Sequence, residues 1–271
     1  TMHIQVNGAA IYCYTGGKAF DAAKPTVVFI HGVLNDHSVW ILQTRWFANH
    51  GWNVLAVDLP GHCRSEGPPP ASVEDAAQFI VALLDAAGVQ RAALIGHSFG
   101  SLIALETAAR APERVTHLAL VGTAYPMAVS DALLNGALND PMRAIDMVNT
   151  FSHSMLAPPP SSLGPGTWLY GGSRALMRRV LASNTQANVF HTGFKACNDY
   201  ANGEAAMAQV QCPVLFLLGA ADQMTPPRAT KALTSKATNA RVVTVQAGHA
   251  LMSEAPDATL FALRDFLLPA G

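Results

Sequence analysis

Ser98, Asp222 and His249 are the side chains whose types and order could do chemistry together. A serine hydroxyl is a poor nucleophile until a base takes its proton, and that base needs a third group to orient it. Hydroxyl, imidazole and carboxylate supply those three roles. Ser98 stands in Gly96-His97-Ser98-Phe99-Gly100, a G-x-S-x-G pattern. The apolar run before it, ending at Ile95, reads as a strand, and residues 101–110 read as a helix with an apolar stripe. Strand, serine and helix in that order make a nucleophile elbow. Such a turn strains the serine backbone, so close neighbours must be small, and Gly96 and Gly100 leave the room. The serine also sits at a helix N-terminus, whose free N–H groups favour developing negative charge.

Asp222 lies in a loop after the apolar run 213–218, and His249 in a loop after the run 241–245. In a parallel sheet the C-terminal ends of the strands share one edge, so Ser98, Asp222 and His249 can converge there. Taken singly, Asp222 also fits a turn and His249 a hydrogen-bonded loop histidine. Their shared edge and their order, Ser then Asp then His, favour the catalytic reading. A fourth feature is His31-Gly32-Val33, at the end of another strand-like run. Gly32 would let the backbone pass close to the nucleophile. The N–H groups of Val33 and Phe99 would then form an oxyanion hole for a tetrahedral intermediate.

The elements that must position these residues follow from hydrophobic pattern. Runs 25–30, 53–57 and 213–218 are nearly all apolar, as strands buried on both faces are, and 115–121 reads as another strand. Residues 2–6 and 10–14 flank Asn7-Gly8, a hairpin signal. Helices are expected over 40–50, with Ser38 as its cap, over 72–87, with Gly88 as its stop, and over 227–235 and 257–268. Strands and helices alternate from residue 26, which predicts an α/β fold: a mostly parallel sheet of about eight strands with helices on both faces. Residues 123–211 show helical segments and no convincing strand, with an irregular break at 158–166. The expected organisation is therefore a core of residues 1–122 and 212–271 and a helical cap inserted at 123–211. Leu34, Trp40, Tyr125, Met127 and Leu251 are the expected substrate-pocket residues. Trp168, Tyr170, Phe190, Phe194 and Tyr200 are expected mainly to pack. Arg143, Arg174, Arg178 and Arg179 are expected to be solvated, with a grip on a substrate carboxylate as the alternative.

Composition excludes several classes. Half of the residues are hydrophobic and 13% are charged, enough for a sizeable core. The net charge of −1, with no basic run, makes nucleic acid a poor partner. No stretch is apolar for long enough to span a bilayer, and no basic segment followed by an apolar one opens the chain. Cys13, Cys63, Cys197 and Cys212 have no C-x-x-C spacing, which fits reduced thiols and a cytoplasmic location. The ten histidines contain no H-E-x-x-H or similar ligand pattern, so no metal is expected. The sequence leaves the oligomeric state open.

Five stretches together resemble the α/β-hydrolase superfamily over nearly the whole chain. They are HGVLNDHSVW (31–40), VDLPGHCRS (57–65), GHSFG (96–100), LLGAADQMTP (217–226) and AGHALMSEAP (247–256). Within the superfamily, the sequence looks most like small capped bacterial esterases, enol-lactonases and cofactor-free haloperoxidase-like enzymes. The resemblance implies the α/β-hydrolase fold, with Ser98 as nucleophile, Asp222 as acid and His249 as base. It implies a serine hydrolase of small carboxylic esters or lactones that works through an acyl-enzyme, without metal or organic cofactor. The family usually has Gly where Cys63 stands. After Val121 come Gly122 and Thr123, so no acid occupies the alternative position that some members use. A serine nucleophile argues against haloalkane dehalogenases and epoxide hydrolases, which use aspartate. Two rivals remain. C–C bond hydrolases of meta-cleavage products share this triad, but many carry Trp directly after the histidine, where this chain has Ala250. The other rival is a ligand-binding receptor that retains the triad.

Overall fold

A computed structural model of the chain describes residues 1–154 and 167–268. The expected irregular break at 158–166 lies outside the described residues. Eight strands form one sheet: β1 (Met2–Val6), β2 (Ala9–Tyr14), β3 (Thr26–Ile30), β4 (Asn53–Val57), β5 (Ala92–His97), β6 (Val115–Val121), β7 (Val214–Gly219) and β8 (Ala240–Val245). Their spatial order is β1-β2-β4-β3-β5-β6-β7-β8. The first hairpin and the β2–β4 pair are antiparallel, and every other pairing is parallel.

Every residue of β3, β4, β5 and β7 is buried, as the continuous apolar runs require. Successive strand residues face opposite sides. Val28, Ile30 and Leu94 therefore join one core, and Val27, Phe29 and Ile95 the other. The first core is covered by α2 (Val73–Ala86) and α3 (Phe99–Arg110), the second by α1 (Ile41–Asn49) and α11 (Pro256–Leu267). Ser72 caps α2 by accepting the Asp75 N–H at 3.0 Å, and Gly88 follows its C-terminus at φ +69°. Ser38 is not the cap expected for α1. The Asp36 carboxylate accepts the Ser38 N–H at 2.9 Å and opens a short 3₁₀ turn, His37–Trp40, that feeds α1. A carboxylate two residues upstream is the stronger acceptor and takes the site.

Between β6 and β7 the described residues contain α4 (Asp131–Asn139), α5 (Pro141–Ser152), α6 (Leu169–Ser183), α7 (Val189–Asp199) and α8 (Gly203–Gln209), and no strand. Leu133, Ile145, Val148, Val180 and Phe190 form a third apolar cluster there, which closes on Leu34. The segment returns to the sheet beside Glu106, a buried carboxylate on α3. Glu106 accepts from Tyr200 Oη at 2.6 Å, Asn202 Nδ2 at 3.0 Å and Arg110 Nε at 2.9 Å. Burial would raise its pKa, but these donors outweigh it and hold the carboxyl below its usual value. The short α9 (Lys231–Thr234) and α10 (Leu251–Glu254) complete the chain. No described helix is long and apolar enough to cross a membrane.

Candidate active site

Ser98 sits between the last residue of β5 and the first of α3, at φ +54° and ψ −117°. A side chain at positive φ is costly, so the surroundings must impose it. They do so by backbone crossing backbone. A Cβ on Gly96 would lie 2.1 Å from the Gly100 oxygen, and one on Gly100 would lie 2.3 Å from the Ile30 oxygen. Only glycine fits at either place. Ser98 N–H donates to Val121 O at 3.0 Å, and Ser101 Oγ donates to Ser98 O at 2.5 Å, so the turn is held from both sides. Phe99 opens α3, whose first N–H groups have no intrahelical acceptor.

Asp222 follows β7 and meets His249, which follows β8. His249 Nδ1 is 2.8 Å from Asp222 Oδ2. The same carboxylate accepts the N–H of Met224 at 2.9 Å, the N–H of Thr225 at 2.8 Å and the Thr225 hydroxyl at 2.8 Å. Thr225 Oγ1 is also 3.0 Å from His249 Nδ1. Burial alone would raise the Asp222 pKa. The adjacent His249 and the hydrogen bonds from His249 and Thr225 outweigh burial and hold the carboxyl below its usual value. An ionised carboxylate on Nδ1 leaves the far nitrogen of the ring free to act as a base.

His97, the residue before Ser98, supports the other side of this pair. Its Nε2 is 2.7 Å from His249 O. A carbonyl can only accept, so Nε2 carries the proton. Burial, with the neighbouring His249 adding to it, lowers the His97 pKa to about 3. Gly122, at φ +56°, lies against both rings: a Cβ there would come within 3.3 Å of each.

Ser98 and His249 line a cavity of about 340 Å³. Gly32 and Val33 lie on the same wall, and a Cβ on Gly32 would sit 3.3 Å from Ser98 Cβ, so the backbone does pass close to the serine. The opposite wall carries Val148, Asn149, Leu176, Met177 and Phe194, from α5, α6 and α7. Among the described residues the lining contains no Lys, Arg, Asp or Glu. Asp222 stands behind His249, outside the lining.

The expected pocket residues need correction. Leu34, Trp40, Tyr125, Met127 and Leu251 do not line the cavity. Leu34, at φ +58°, turns into the third apolar cluster. Trp40 packs on Phe29 with ring centroids 5.2 Å apart, and Leu251 joins the same core. Tyr125 packs edge-on against Tyr200, and Met127 lies in the α3 core. Nearest neighbours line the cavity instead: Val33 beside Leu34, Val39 and Ile41 beside Trp40, Ala250 and Met252 beside Leu251. In turns and helices adjacent side chains diverge, so closeness in sequence to the site does not aim a residue into it. Nor does any of the four arginines line the cavity. Arg174 pairs with Asp146 through contacts of 2.6 and 2.9 Å, and Arg179 reaches Asp36 at 3.3 Å.

Sequence reasoning missed Thr225 and gave His97 no role. Thr225 stands three residues after Asp222, the local spacing at which an Asp carboxylate meets a backbone N–H, and that spacing is a usable signal. Nothing in the sequence marks His97 as more than a member of the pentapeptide. A further acidic group, Asp36, His37 and Asp58, offers metal-ligand atoms within 4.8 Å of one another. These atoms already hold the loops together: Asp58 Oδ1 takes His37 Nδ1 at 2.7 Å, and Asp36 takes Ser38 and Arg179.

Similarity to known proteins agrees with this architecture. A stretch of 127 residues is 35% identical to the dihydrolipoyllysine-residue acetyltransferase component of the acetoin cleaving system of Cupriavidus necator, covering 46% of this chain but only 31% of that protein. The pimeloyl-[acyl-carrier protein] methyl ester esterase of Neisseria meningitidis serogroup C is 27% identical over 254 residues, 92% of this chain and 96% of that one. The crystal structure of the enol-lactonase from Burkholderia xenovorans LB400 superposes with a TM-score of 0.81 at 24% identity, covering 98% of this chain and 99% of that one. The family model described as alpha/beta hydrolase fold matches residues 25–256, from β3 to the start of α11. By that match, and by the sheet that carries it, this chain belongs to the α/β-hydrolase family.

Proposed function

We propose that this hydrolase cleaves small uncharged carboxylic esters or lactones through an acyl-enzyme on Ser98. The observation that carries the reading is the pairing of Asp222 with His249 beside a strained serine in one cavity. Ser98 Oγ attacks the carbonyl carbon. His249 takes the hydroxyl proton and then delivers it to the leaving alcohol. Asp222 orients the ring and stabilises its cationic form. The N–H groups of Val33 and Phe99 bind the oxyanion. Water, deprotonated by His249, then attacks the acyl-enzyme and frees Ser98. Residues 123–211 act as the cap that bounds the acyl chain, with no metal or organic cofactor taking part. Esterase and enol-lactonase relatives support the substrate class.

The uncharged lining bears on the C–C hydrolase alternative. A meta-cleavage dienoate carries a carboxylate, and the described lining offers it no Lys or Arg. A fluorophosphonate probe should place a single adduct on Ser98 by mass spectrometry. On p-nitrophenyl esters from acetate to dodecanoate, kcat/KM should climb by about fourfold per methylene until the cavity is full, then fall. An adduct elsewhere, or dienoate turnover orders of magnitude faster than any ester, would overturn the reading. Ester binding with no turnover would leave the receptor in its place.

A further inference from the structure

Asn149 is out of character with the wall it belongs to. It lies on α5, is fully buried and lines the cavity that Ser98 lines. Val148, Leu176, Met177 and Phe194 line the same wall and are apolar, and Ser152 and Ser173 are the other polar side chains that α5 and α6 bring to it. Among the described residues, neither its Oδ1 nor its Nδ2 has a hydrogen-bond partner. Its backbone is fixed, because His153 Nδ1 donates to Asn149 O at 2.9 Å. A buried amide with nothing to bond is expensive, and a leucine of similar size would avoid that cost. A ligand that enters the cavity and supplies the missing partners relieves that cost.

The chemistry of the side chain says which ligand. An Asn amide offers one acceptor oxygen and an N–H₂ donor. An ester group only accepts, so it would answer Nδ2 and leave Oδ1 bare. A carboxylate also only accepts, and no cation lines the described wall to balance its charge. An amide both donates and accepts without charge, and a primary carboxamide or a lactam presents both on one edge, as Asn149 does.

We infer that Asn149 is a specificity-determining residue that selects esters or lactones whose acyl part carries an amide. The ligand N–H donates to Oδ1, and the ligand C=O accepts from Nδ2. The inference rests on the ester or lactone reading and narrows its substrate class.

The test uses p-nitrophenyl esters with an ω-carboxamide on acyl chains of several lengths, each matched to its isopropyl-ended isostere. Wild type should favour the carboxamide at the chain length that reaches Asn149. In Asn149→Leu the carboxamide-to-isostere ratio of kcat/KM should fall by about tenfold or more, because a site built to bond a polar group discriminates against its absence. Asn149→Asp, which loses the donor, should also lower the ratio. Thermal melting provides the structural control: Asn149→Leu should melt no lower than wild type, since it removes unsatisfied groups. A clearly lower Tm would make Asn149 structural and overturn the inference. An unchanged ratio would overturn it while the parent reading stands, provided wild type hydrolyses p-nitrophenyl butyrate. No turnover of butyrate or of any carboxamide ester would remove both.

Discussion

The two walls of the cavity differ in how their polar groups are settled. On the sheet edge the groups that hold His249 are matched, and among the described residues His97 Nδ1 is the buried atom beside it left without a partner. Asp222 takes Met224, Thr225 and His249, and His97 bonds His249 O. On the helical wall the side chains are mostly apolar, and among the described residues Asn149 has no partner for either amide atom. A matched network in a low-dielectric setting is stiff and holds one arrangement. An unmatched group waits on whatever enters. The lesson is a division of labour: the sheet edge sets the reaction, and the helices set which molecule undergoes it. Changes on the first wall should then appear in kcat, and changes on the second in the order of substrates.

The largest expected effects break the sheet-edge wall. Ser98→Ala should lower kcat by a factor on the order of 10⁶ with the fold intact, as in other serine triads. Asp222→Asn should cost up to about 10⁴ by favouring the wrong imidazole tautomer. Single-turnover kinetics on an activated ester would check both. Near-normal rates in either variant would remove that residue from the reaction.

A smaller effect tests whether two buried imidazoles are dry: His97 on that wall, and His62, which lies outside the lining and packs on His31 with ring centroids 5.1 Å apart. Burial lowers the pKa of His97 to about 3 and that of His62 to about 4. In the unfolded chain a histidine titrates near ~6.5. Between those values the unfolded state binds more protons, so stability is full above pH ~6.5 and falls with falling pH. Each such ring contributes a slope of up to about 1.4 kcal/mol per pH unit. Urea unfolding at pH 7, 6 and 5 should show this loss, and His62→Asn should make the slope shallower by one ring's share while that of His97 remains. A flat wild-type profile would mean that water reaches both rings.

The smallest effect belongs to the helical wall. Met177 is buried and lines the cavity. Met177→Ala should enlarge the cavity and move the optimum of the ester series to longer chains, while kcat on short esters changes by less than about tenfold. A collapse of kcat on every substrate would erase the distinction between the walls.

How much of this was legible in the sequence follows the same divide. Gly96, Ser98 and Gly100 could be read because the turn is local and its steric demand falls on three adjacent positions. Asp222 and His249 could be placed because strand ends in a parallel sheet share an edge. The uniformly apolar runs gave the strands of the sheet centre to within a residue or two. The pocket wall was not legible. Whether Val33 or Leu34 faces the cavity depends on a turn at positive φ, and whether Tyr125 does depends on its packing against Tyr200. Asn149 carries no signal at all, because its meaning comes from three helices meeting across a void. Ser38 misled because Asp36, two positions earlier, is the better acceptor.

One topological detail has a consequence for the history of such proteins. β6 and β7 are neighbours in the sheet, with Leu118 opposite Val214 and Val121 opposite Leu217, although five helices among the described residues separate them along the chain. The entropy of closing such a connection grows only logarithmically, by about 0.6 kcal/mol for each doubling of its length. The pairing of those strands is therefore nearly indifferent to how much chain is threaded between them. Lineages can lengthen, shorten or exchange that stretch at small cost to folding, provided its return still docks on Glu106 through residues such as Tyr200 and Asn202. Substrate range can diverge quickly on a scaffold whose chemistry stays still.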